Sequence, residues 1–200
     1  GVAPLFGEEL QRMREMIEKE EFIKDGRGQR KTLEAYPIYK NYFLEHIKPR
    51  HHFKVVIDSG NGSAGMFAPD LFRSLGCEVV ELYSEPDATF PNHTPDPHMP
   101  QFMKDLSAKV VAEHADLGIA FDADADRVGF VLENGELVDS DLVNLIFFKD
   151  ILSRFPGKKV LYTAKGSQLP EELVPQYGGI YLMHRNGHAP IKDTMRLDNE

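Results

Sequence analysis

Three aspartates occupy alternate positions at the end of an apolar run in the middle of the chain. The run Leu117–Phe121 has the length of a buried strand, and Asp122, Asp124 and Asp126 follow it. These carboxylates repel one another and lose solvation if their loop lies in a cleft, so a positive charge must compensate them. Divalent cations such as Mg2+ prefer oxygen ligands that a short loop supplies. The sequence therefore predicts a site for a hard divalent cation, Mg2+ or Ca2+, at a strand end, where open α/β sheets bind ligands.

Two other structures place aspartates in a similar pattern. An isolated D-x-D is typical of a solvated acidic turn, but the position after an apolar strand favours the metal site. In an EF-hand loop, Asp122, Asp124, Asp126 and Glu133 would stand at ligand positions. That loop needs glycine where this chain has Arg127, and both flanks have the pattern of strands rather than helices. The EF-hand is therefore disfavoured.

Three cationic or titratable side chains are candidates for contacts with a substrate. Arg127 follows the last aspartate directly, Lys165 lies in TAKGS, and His188 closes HRNGH. Lys165 and His188 each follow a predicted strand and precede a predicted helix, where α/β domains place ligand groups. Taken singly, Lys165 is better explained as a solvated loop lysine, and His188 as a surface or helix-capping histidine. Together with Arg127, they favour a phosphorylated substrate.

A glycine pattern after an earlier strand resembles a dinucleotide-binding fingerprint. Gly60, Gly62 and Gly65 form G-x-G-x-x-G, and Glu81 lies about twenty residues further on. Asp58 would place a negative charge beside the pyrophosphate, and no second dinucleotide half follows. We therefore expect structural glycines in a tight strand-to-helix turn.

The bulk properties restrict the classes of partner. The chain has 200 residues, 42% of them hydrophobic and 28% charged, and a net charge of −9. This charge argues against nucleic acid and anionic membranes as partners. Cys77 is the single cysteine, which excludes an internal disulfide and suits a reducing compartment. The densest apolar run, residues 142–148, is too short to span a bilayer, and no signal peptide is recognised. We therefore expect a cytoplasmic protein.

Apolar periodicity and turn residues predict an α/β fold with mixed sheets flanked by helices. A strand, loop, helix, glycine and strand occur twice, over residues 53–82 and 158–183, which indicates two sister α/β domains with the second incomplete. Asn134-Gly135 predicts a hairpin turn. The other predicted elements are an amphipathic helix over residues 7–21, further helices over 33–47, 66–75, 101–114, 140–155 and 189–197, a strand over 117–121 and an irregular proline-rich loop over 84–100.

Four segments of the chain match one enzyme family in order and spacing. They are KVVIDSGNGSAG, EPDATFPNHTPDP, ADLGIAFDADADRVG and NGHAPIKDTM. The chain resembles the α-D-phosphohexomutases, specifically the phosphomannomutase/phosphoglucomutase enzymes, which have four domains. The resemblance implies that residues 1–33 are the tail of domain 1, residues 34–136 are domain 2, and residues 137–200 are part of domain 3. The rest of domain 1 and domain 4 are then expected partners outside this chain.

The resemblance also implies a reaction and a role for each candidate residue. Hexose 1-phosphate and 6-phosphate would be interconverted through a bisphosphate, with mannose or glucose phosphate as substrate. Asp122, Asp124 and Asp126 would bind Mg2+, and Arg127 would lie near the phosphate transfer. Lys165 would assist proton transfer or contact phosphate, and His188 would contact the phosphosugar. The donor phosphoserine and the sugar-selecting loop are expected outside this chain, so we expect it to self-associate and to be inactive alone.

One departure from the family pattern and two alternative functions complete the sequence predictions. The family loop usually reads D-G-D-G-D-R, whereas Ala123 and Ala125 stand here, at a cost of about 1 kcal/mol wherever positive φ is required. A haloacid-dehalogenase-type phosphatase or mutase would use Asp122 as a nucleophile, although Asp126 stands where that motif has threonine or valine. A non-enzymatic divalent-cation or dinucleotide-binding module is the other alternative.

Overall fold

Two units of α/β structure make up the chain in a computed structural model that describes residues 4–22, 26 and 28–198. The acidic-loop unit is Thr32–Ser140, and the lysine-loop unit combines Gly1–Lys31 with Asp141–Glu200. The α-helices are α1 (Glu8–Glu18), α2 (Ala35–His46), α3 (Ala68–Ser74), α4 (Lys104–Glu113), α5 (Ser140–Arg154), α6 (Leu169–Gln176) and α7 (His188–Leu197). The strands are β1 (Lys54–Asp58), β2 (Glu78–Leu82), β3 (Leu117–Phe121), β4 (Val128–Leu132), β5 (Leu137–Val138), β6 (Lys159–Thr163) and β7 (Ile180–His184). None of the helices within the described ranges has both the length and the apolar character needed to cross a bilayer.

A five-stranded mixed sheet forms the centre of the acidic-loop unit. Its order is β2-β1-β3-β4-β5, with β1 parallel to β2 and β3, and β4 antiparallel to β3 and β5. This arrangement confirms the predicted mixed α/β fold. The predicted hairpin is also present, and Gly135 in its turn has a φ of 86°. Such a φ suits glycine, which lacks a Cβ.

Both faces of this sheet are buried, which explains the continuous apolar character of β1. Val56 points into a cluster that includes Leu106 and Val110 of α4. Val55 and Ile57 point into a second cluster with Ala64 and Ala68, beside α3. Successive residues of a strand face opposite sides, so a strand covered on both sides is apolar throughout.

The register of the parallel strands places three loops at one edge of the sheet. Asp58, the last residue of β1, is paired with Leu82 of β2 and Ala120 of β3. The glycine loop (residues 59–65), the proline-rich loop (residues 84–100) and the acidic loop (residues 122–127) therefore all leave the sheet at this edge.

The lysine-loop unit contains a two-stranded parallel sheet. Strands β6 and β7 are in register, with Thr163 opposite His184 at their last positions. Leu152 of α5 and Val174 of α6 are buried in this unit. Helix α1 has the predicted amphipathic pattern, and its apolar side chains are exposed: Leu10, Met13, Met16 and Ile17.

The predicted helix over residues 66–75 differs from the observed structure at its start. The chain first forms a 3-10 turn over Ser63–Met66, and α3 begins only at Ala68. Pro69 in the first turn of α3 accounts for this start, because proline has no N–H to donate and its φ is already helical.

Candidate active site

The acidic loop joins β3 to the antiparallel strand β4 in a closed turn. Asp122 N donates to Arg127 O at 3.2 Å, and Ala125 N donates to Asp122 O at 3.1 Å. These backbone bonds fold the loop back on itself at the end of a buried strand. The alternating aspartates therefore lie on a short, hydrogen-bonded scaffold.

The three aspartate side chains converge. One carboxylate oxygen from each of Asp122, Asp124 and Asp126 lies within 4.8 Å of the other two. Asp122 is 1% exposed, whereas Asp124 and Asp126 are exposed. Hard oxygen donors at this spacing are the ligand set that suits Mg2+. The loop therefore has the chemistry to hold one divalent cation, with one buried carboxylate ligand and two exposed ones.

Arg127 binds the buried member of this set. Its backbone N–H donates to Asp122 Oδ1 at 3.0 Å, and its Nε donates to Oδ2 at 2.7 Å. Burial raises the pKa of Asp122, but the bonds from the Arg127 backbone and guanidinium outweigh it, so this pKa lies below its ordinary value. The hydrogen bond to Asp122 in turn raises the pKa of Arg127. Both groups are therefore charged at neutral pH.

The loop retains negative charge after this pairing. Among the described residues, no cation lies within ion-pair distance of Asp124, and Asp126 is 3.5 Å from Arg127 Nε. Three carboxylates thus face one guanidinium. Each Asp122 oxygen has two lone pairs and uses one on Arg127, so ligand capacity remains. The charge and the donor set both fit a divalent cation.

The backbone at Ala125 is in the left-handed region, whereas that at Ala123 is not. Ala125 has a φ of 61°, a conformation that costs an L-residue roughly 1–2 kcal/mol. Its side chain packs on the cluster that contains Val55 and Ile57, so burial of the methyl group offsets part of this cost. The predicted cost of having alanine where the family has glycine therefore applies to Ala125 and not to Ala123.

Close contacts between backbones explain the three glycines of the earlier loop. A Cβ on Gly60 would lie 2.7 Å from Pro95 Cβ, and one on Gly62 would lie 2.7 Å from Ala123 O. A Cβ on Gly65 would lie 1.9 Å from Ser84 O. The N–H groups of these glycines also donate to protein oxygens rather than to open space, which supports their structural interpretation. Ser63 N also donates to Ala123 O at 3.0 Å, so the glycine loop contacts the acidic loop.

The proline-rich loop contributes His93 and Asp96 to this edge, and neither was selected as a site residue from the sequence. His93 Nε2 lies 3.0 Å from Oδ2 of the buried Asp58, and Asp96 Oδ1 lies 4.0 Å from Arg127 Nη1. The available signal was a charged residue ending an apolar strand, Asp58, together with a histidine and an aspartate in NHTPDP. The separation of 35 residues between Asp58 and His93 hid their connection.

Lys165 lies in a turn just after β6 and is exposed. Asp141, near the start of α5, accepts a hydrogen bond from Tyr162 and another, of 2.6 Å, from Ser167 N. Burial raises the pKa of Asp141, but these bonds outweigh it and the pKa is lowered. The carboxylate thus ties both sides of the lysine turn to α5.

His188 is the first residue of α7 and is also exposed. The turn before it is held by His184 Nε2, which lies 2.9 Å from Thr194 Oγ1 in α7. Lys165 and His188 thus occupy corresponding positions after β6 and β7, at one edge of their sheet. The structure brings the three aspartates and Arg127 together in the acidic-loop unit, and places Lys165 and His188 in the other unit.

The middle of the chain matches a family described as phosphoglucomutase/phosphomannomutase, alpha/beta/alpha domain II. The match covers residues 36–135, half of the chain. Among curated proteins, Phosphomannomutase/phosphoglucomutase of Pseudomonas aeruginosa is 43% identical over 192 residues. Phosphoglucomutase of Neisseria meningitidis is 38% identical over 193 residues. Both alignments cover 96% of this chain but only 41% and 42% of the relatives, so the chain spans less than half of their length.

A solved structure agrees with these relatives in fold. The crystal structure of a phosphoglucomutase/phosphomannomutase family protein from Burkholderia thailandensis superposes with a TM-score of 0.93 at 35% identity. It matches 98% of this chain and 42% of its own chain. The family match, the relatives and the fold agree with the resemblance that the four sequence segments indicated. The chain belongs to the phosphoglucomutase/phosphomannomutase family.

Proposed function

We propose that this chain forms part of a phosphohexomutase that interconverts hexose 1-phosphate and hexose 6-phosphate through a bisphosphate. The observation that carries the proposal is the convergence of Asp122, Asp124 and Asp126 beside Arg127. The names of the relatives support the reaction class, since they are mutases of glucose and mannose phosphates. Because those names include both sugars, the substrate class is hexose phosphate rather than one sugar.

In this proposal each residue has a physical role. The three aspartates hold Mg2+, which when bound neutralises negative charge on the transferring phosphoryl group. Arg127 is a cation held by Asp122 through its Nε, and its side chain is 54% exposed, so the guanidinium can also bind a phosphate oxygen. In this proposal Lys165 contacts phosphate or takes the proton of the attacking sugar hydroxyl, and His188 binds the phosphosugar.

The same contacts disfavour Asp122 as a phosphatase nucleophile. Its side chain is 1% exposed, and both of its oxygens accept hydrogen bonds from Arg127. A free lone pair remains on each oxygen, but a nucleophile must also approach the phosphorus atom in line, and the burial of this carboxylate between its two bonds to Arg127 opposes that approach. We therefore expect no beryllofluoride adduct on Asp122.

We further propose that residues 1–33, 34–136 and 137–200 belong to domains 1, 2 and 3 of a longer enzyme. The donor phosphoserine would come from the remainder of domain 1, because no serine here has the family's donor motif. If the chain is part of a longer enzyme, apolar side chains that the other domains would cover are exposed in it, such as Ile146, Phe147 and Met183. We therefore expect the 200-residue chain to self-associate through them. A cytoplasmic location follows from the sugar phosphate substrate and the single cysteine.

A coupled assay tests this function. Glucose 1-phosphate and mannose 1-phosphate are supplied separately, each primed with the matching bisphosphate and Mg2+. The full-length protein that contains this chain should convert these substrates, and its Asp122→Asn variant should lose that activity. The isolated 200-residue chain should convert neither substrate. Turnover by the isolated chain would contradict the domain assignment, and an inactive full-length protein that binds Mg2+ would contradict the mutase assignment.

A further inference from the structure

A buried ion pair lies behind the acidic loop. Asp58 is 1% exposed, and its Oδ1 accepts from Gly60 N at 2.8 Å while its Oδ2 lies 3.0 Å from His93 Nε2. The other ring nitrogen, His93 Nδ1, lies 2.9 Å from Thr94 O. A carbonyl and a carboxylate can only accept, so both ring nitrogens must donate, and the imidazole carries a positive charge.

The surroundings of His93 fix its ring in place. The His93 ring is stacked on Phe102 with an interplanar angle of 16°. The Tyr83 ring packs against it in an edge-on arrangement, with 5.4 Å between the two ring centroids. The charged groups that face it are Asp58 at the end of β1 and Asp105 of α4, which accepts a 2.8 Å hydrogen bond from the Tyr83 hydroxyl. Both charges are negative and both favour the protonated ring.

The chain that follows His93 is held on both sides as it runs to Arg127. Pro95 lies against Gly60, where a Cβ would approach within 2.7 Å. Pro97 lies against Gly129 of β4, where a Cβ would approach within 2.9 Å. Between these two contacts, Asp96 Oδ1 lies 4.0 Å from Arg127 Nη1. Residues 93–97 therefore connect the buried Asp58–His93 ion pair to the Nη1 end of the Arg127 guanidinium.

We propose that the Asp58–His93 ion pair positions Arg127, by fixing residues 93–97 so that Asp96 lies beside Nη1 of the guanidinium whose Nε is bonded to Asp122. This inference deepens the proposed function, since it concerns the cation assigned to the phosphoryl group. It gives the HTPD segment a task in the reaction although neither Asp58 nor His93 contacts the acidic loop directly. His93 and Asp58 are positioning residues in this account. The hydrogen bond to Asp58 raises the pKa of His93 to about 8 against the opposing effect of burial, so the pair is intact at neutral pH.

The order of the Arg127 side chain tests the proposal in the 200-residue chain without any sugar. The order of the Arg127 Nη1–H bonds, at the end of the guanidinium that faces Asp96, is measured by 15N relaxation in the wild type, His93→Gln, Asp96→Asn and the control His51→Gln, with the Nε–Hε bond held by Asp122 as an internal reference. His51 is an exposed histidine of the same unit. We expect values near 0.8 in the wild type and control, and below about 0.6 in the two test variants. Unchanged order in Asp96→Asn overturns the proposal, even if His93→Gln fails to fold.

The pH dependence of the same signal separates positioning from general stability. In the wild type, the order parameter of the Arg127 side chain should fall as the pH rises through 8, while the order parameters of the backbone amides in β1 and β3 stay constant. In Asp96→Asn it should be low at every pH. Arg127 order that is independent of pH in the wild type overturns the role of His93. The two proposals can fail separately. If Arg127 shows these changes in order but the full-length protein that contains this chain has no mutase activity, the proposed function is wrong and this inference stands.

Discussion

Arg127 Nε lies 2.7 Å from Oδ2 of Asp122, the least exposed carboxylate of the acidic loop. The bond attaches the only arginine of the loop to its one buried aspartate. As a result, the guanidinium stays beside the two exposed aspartates, where a cation and a phosphate would meet. The loop is thus organised by its own arginine before any ligand binds.

Acid should weaken the protein through this contact. The pKa of Asp122 in the folded state lies below its ordinary value of 3.8, so its contribution to stability is complete above that value. The contribution is lost as the pH falls through the folded pKa. We expect the free energy of unfolding of the wild type to exceed that of Asp122→Asn clearly at pH 6 and less at pH 3, by urea titration. A difference that is equal at both pH values would contradict this expectation.

Alkali should weaken the protein through His93. Its folded pKa of about 8 exceeds the ordinary 6.5, so its stabilising contribution is complete below pH 6.5 and is lost as the pH rises through 8. The difference corresponds to about 2 kcal/mol. Urea unfolding at pH 6 and pH 9 should show a loss of this size in the wild type and in His51→Gln, but not in His93→Gln. Equal losses in all three proteins would show that other groups are responsible.

The two alanines of the acidic loop should respond differently to glycine. Ala125→Gly relieves the left-handed backbone but loses a packed methyl group and gains entropy in the unfolded chain, so we expect a change within about 0.5 kcal/mol. Ala123→Gly has only the entropic effect and should destabilise by about 0.4–1 kcal/mol. Thermal unfolding of both variants measures this difference. A larger loss in Ala125→Gly would mean that methyl packing outweighs the backbone conformation.

The contact between the glycine loop and the acidic loop should tolerate no added side chain. In Gly62→Ala the new Cβ would lie 2.7 Å from Ala123 O, which forces one backbone to move. We expect a destabilisation of roughly 1–3 kcal/mol and weaker Mg2+ binding. Ser63→Ala is the control, since the hydrogen bond to Ala123 comes from the backbone of residue 63. A Gly62→Ala variant as stable as the control would indicate that the loops are separated in solution.

Local patterns were sufficient to predict the strands and the acidic loop. Buried strands such as β3 are continuous apolar runs, and alternation alone brings Asp122, Asp124 and Asp126 to one side of a turn. The left-handed φ of Ala125 could not be predicted, because it depends on how the loop closes onto Arg127. The mixed sheet and the family could be predicted since turn residues and motifs are local signals.

Contacts between distant segments were beyond sequence reasoning. Asp58 was interpreted only as a charge that disfavours a dinucleotide, whereas it is the partner of His93. Nothing in the spacing of 35 residues indicates that the proline-rich loop folds back over the glycine loop. Such pairs are set by the order of strands in the sheet, which hydrophobic periodicity does not determine.

The most direct test of the acidic loop is calorimetric titration of Mg2+ into the 200-residue chain. The account predicts one site in the wild type, and a strong loss of affinity in Asp124→Ala, whose carboxylate has no cationic partner among the described residues. Glu133→Gln is the matched control, because it removes an exposed charge at the far end of β4 and the last ligand that an EF-hand would use. One-to-one binding that survives Glu133→Gln and is lost in Asp124→Ala is the predicted result. Equal Mg2+ binding by the wild type and Asp124→Ala would contradict the metal site on which the proposed function depends.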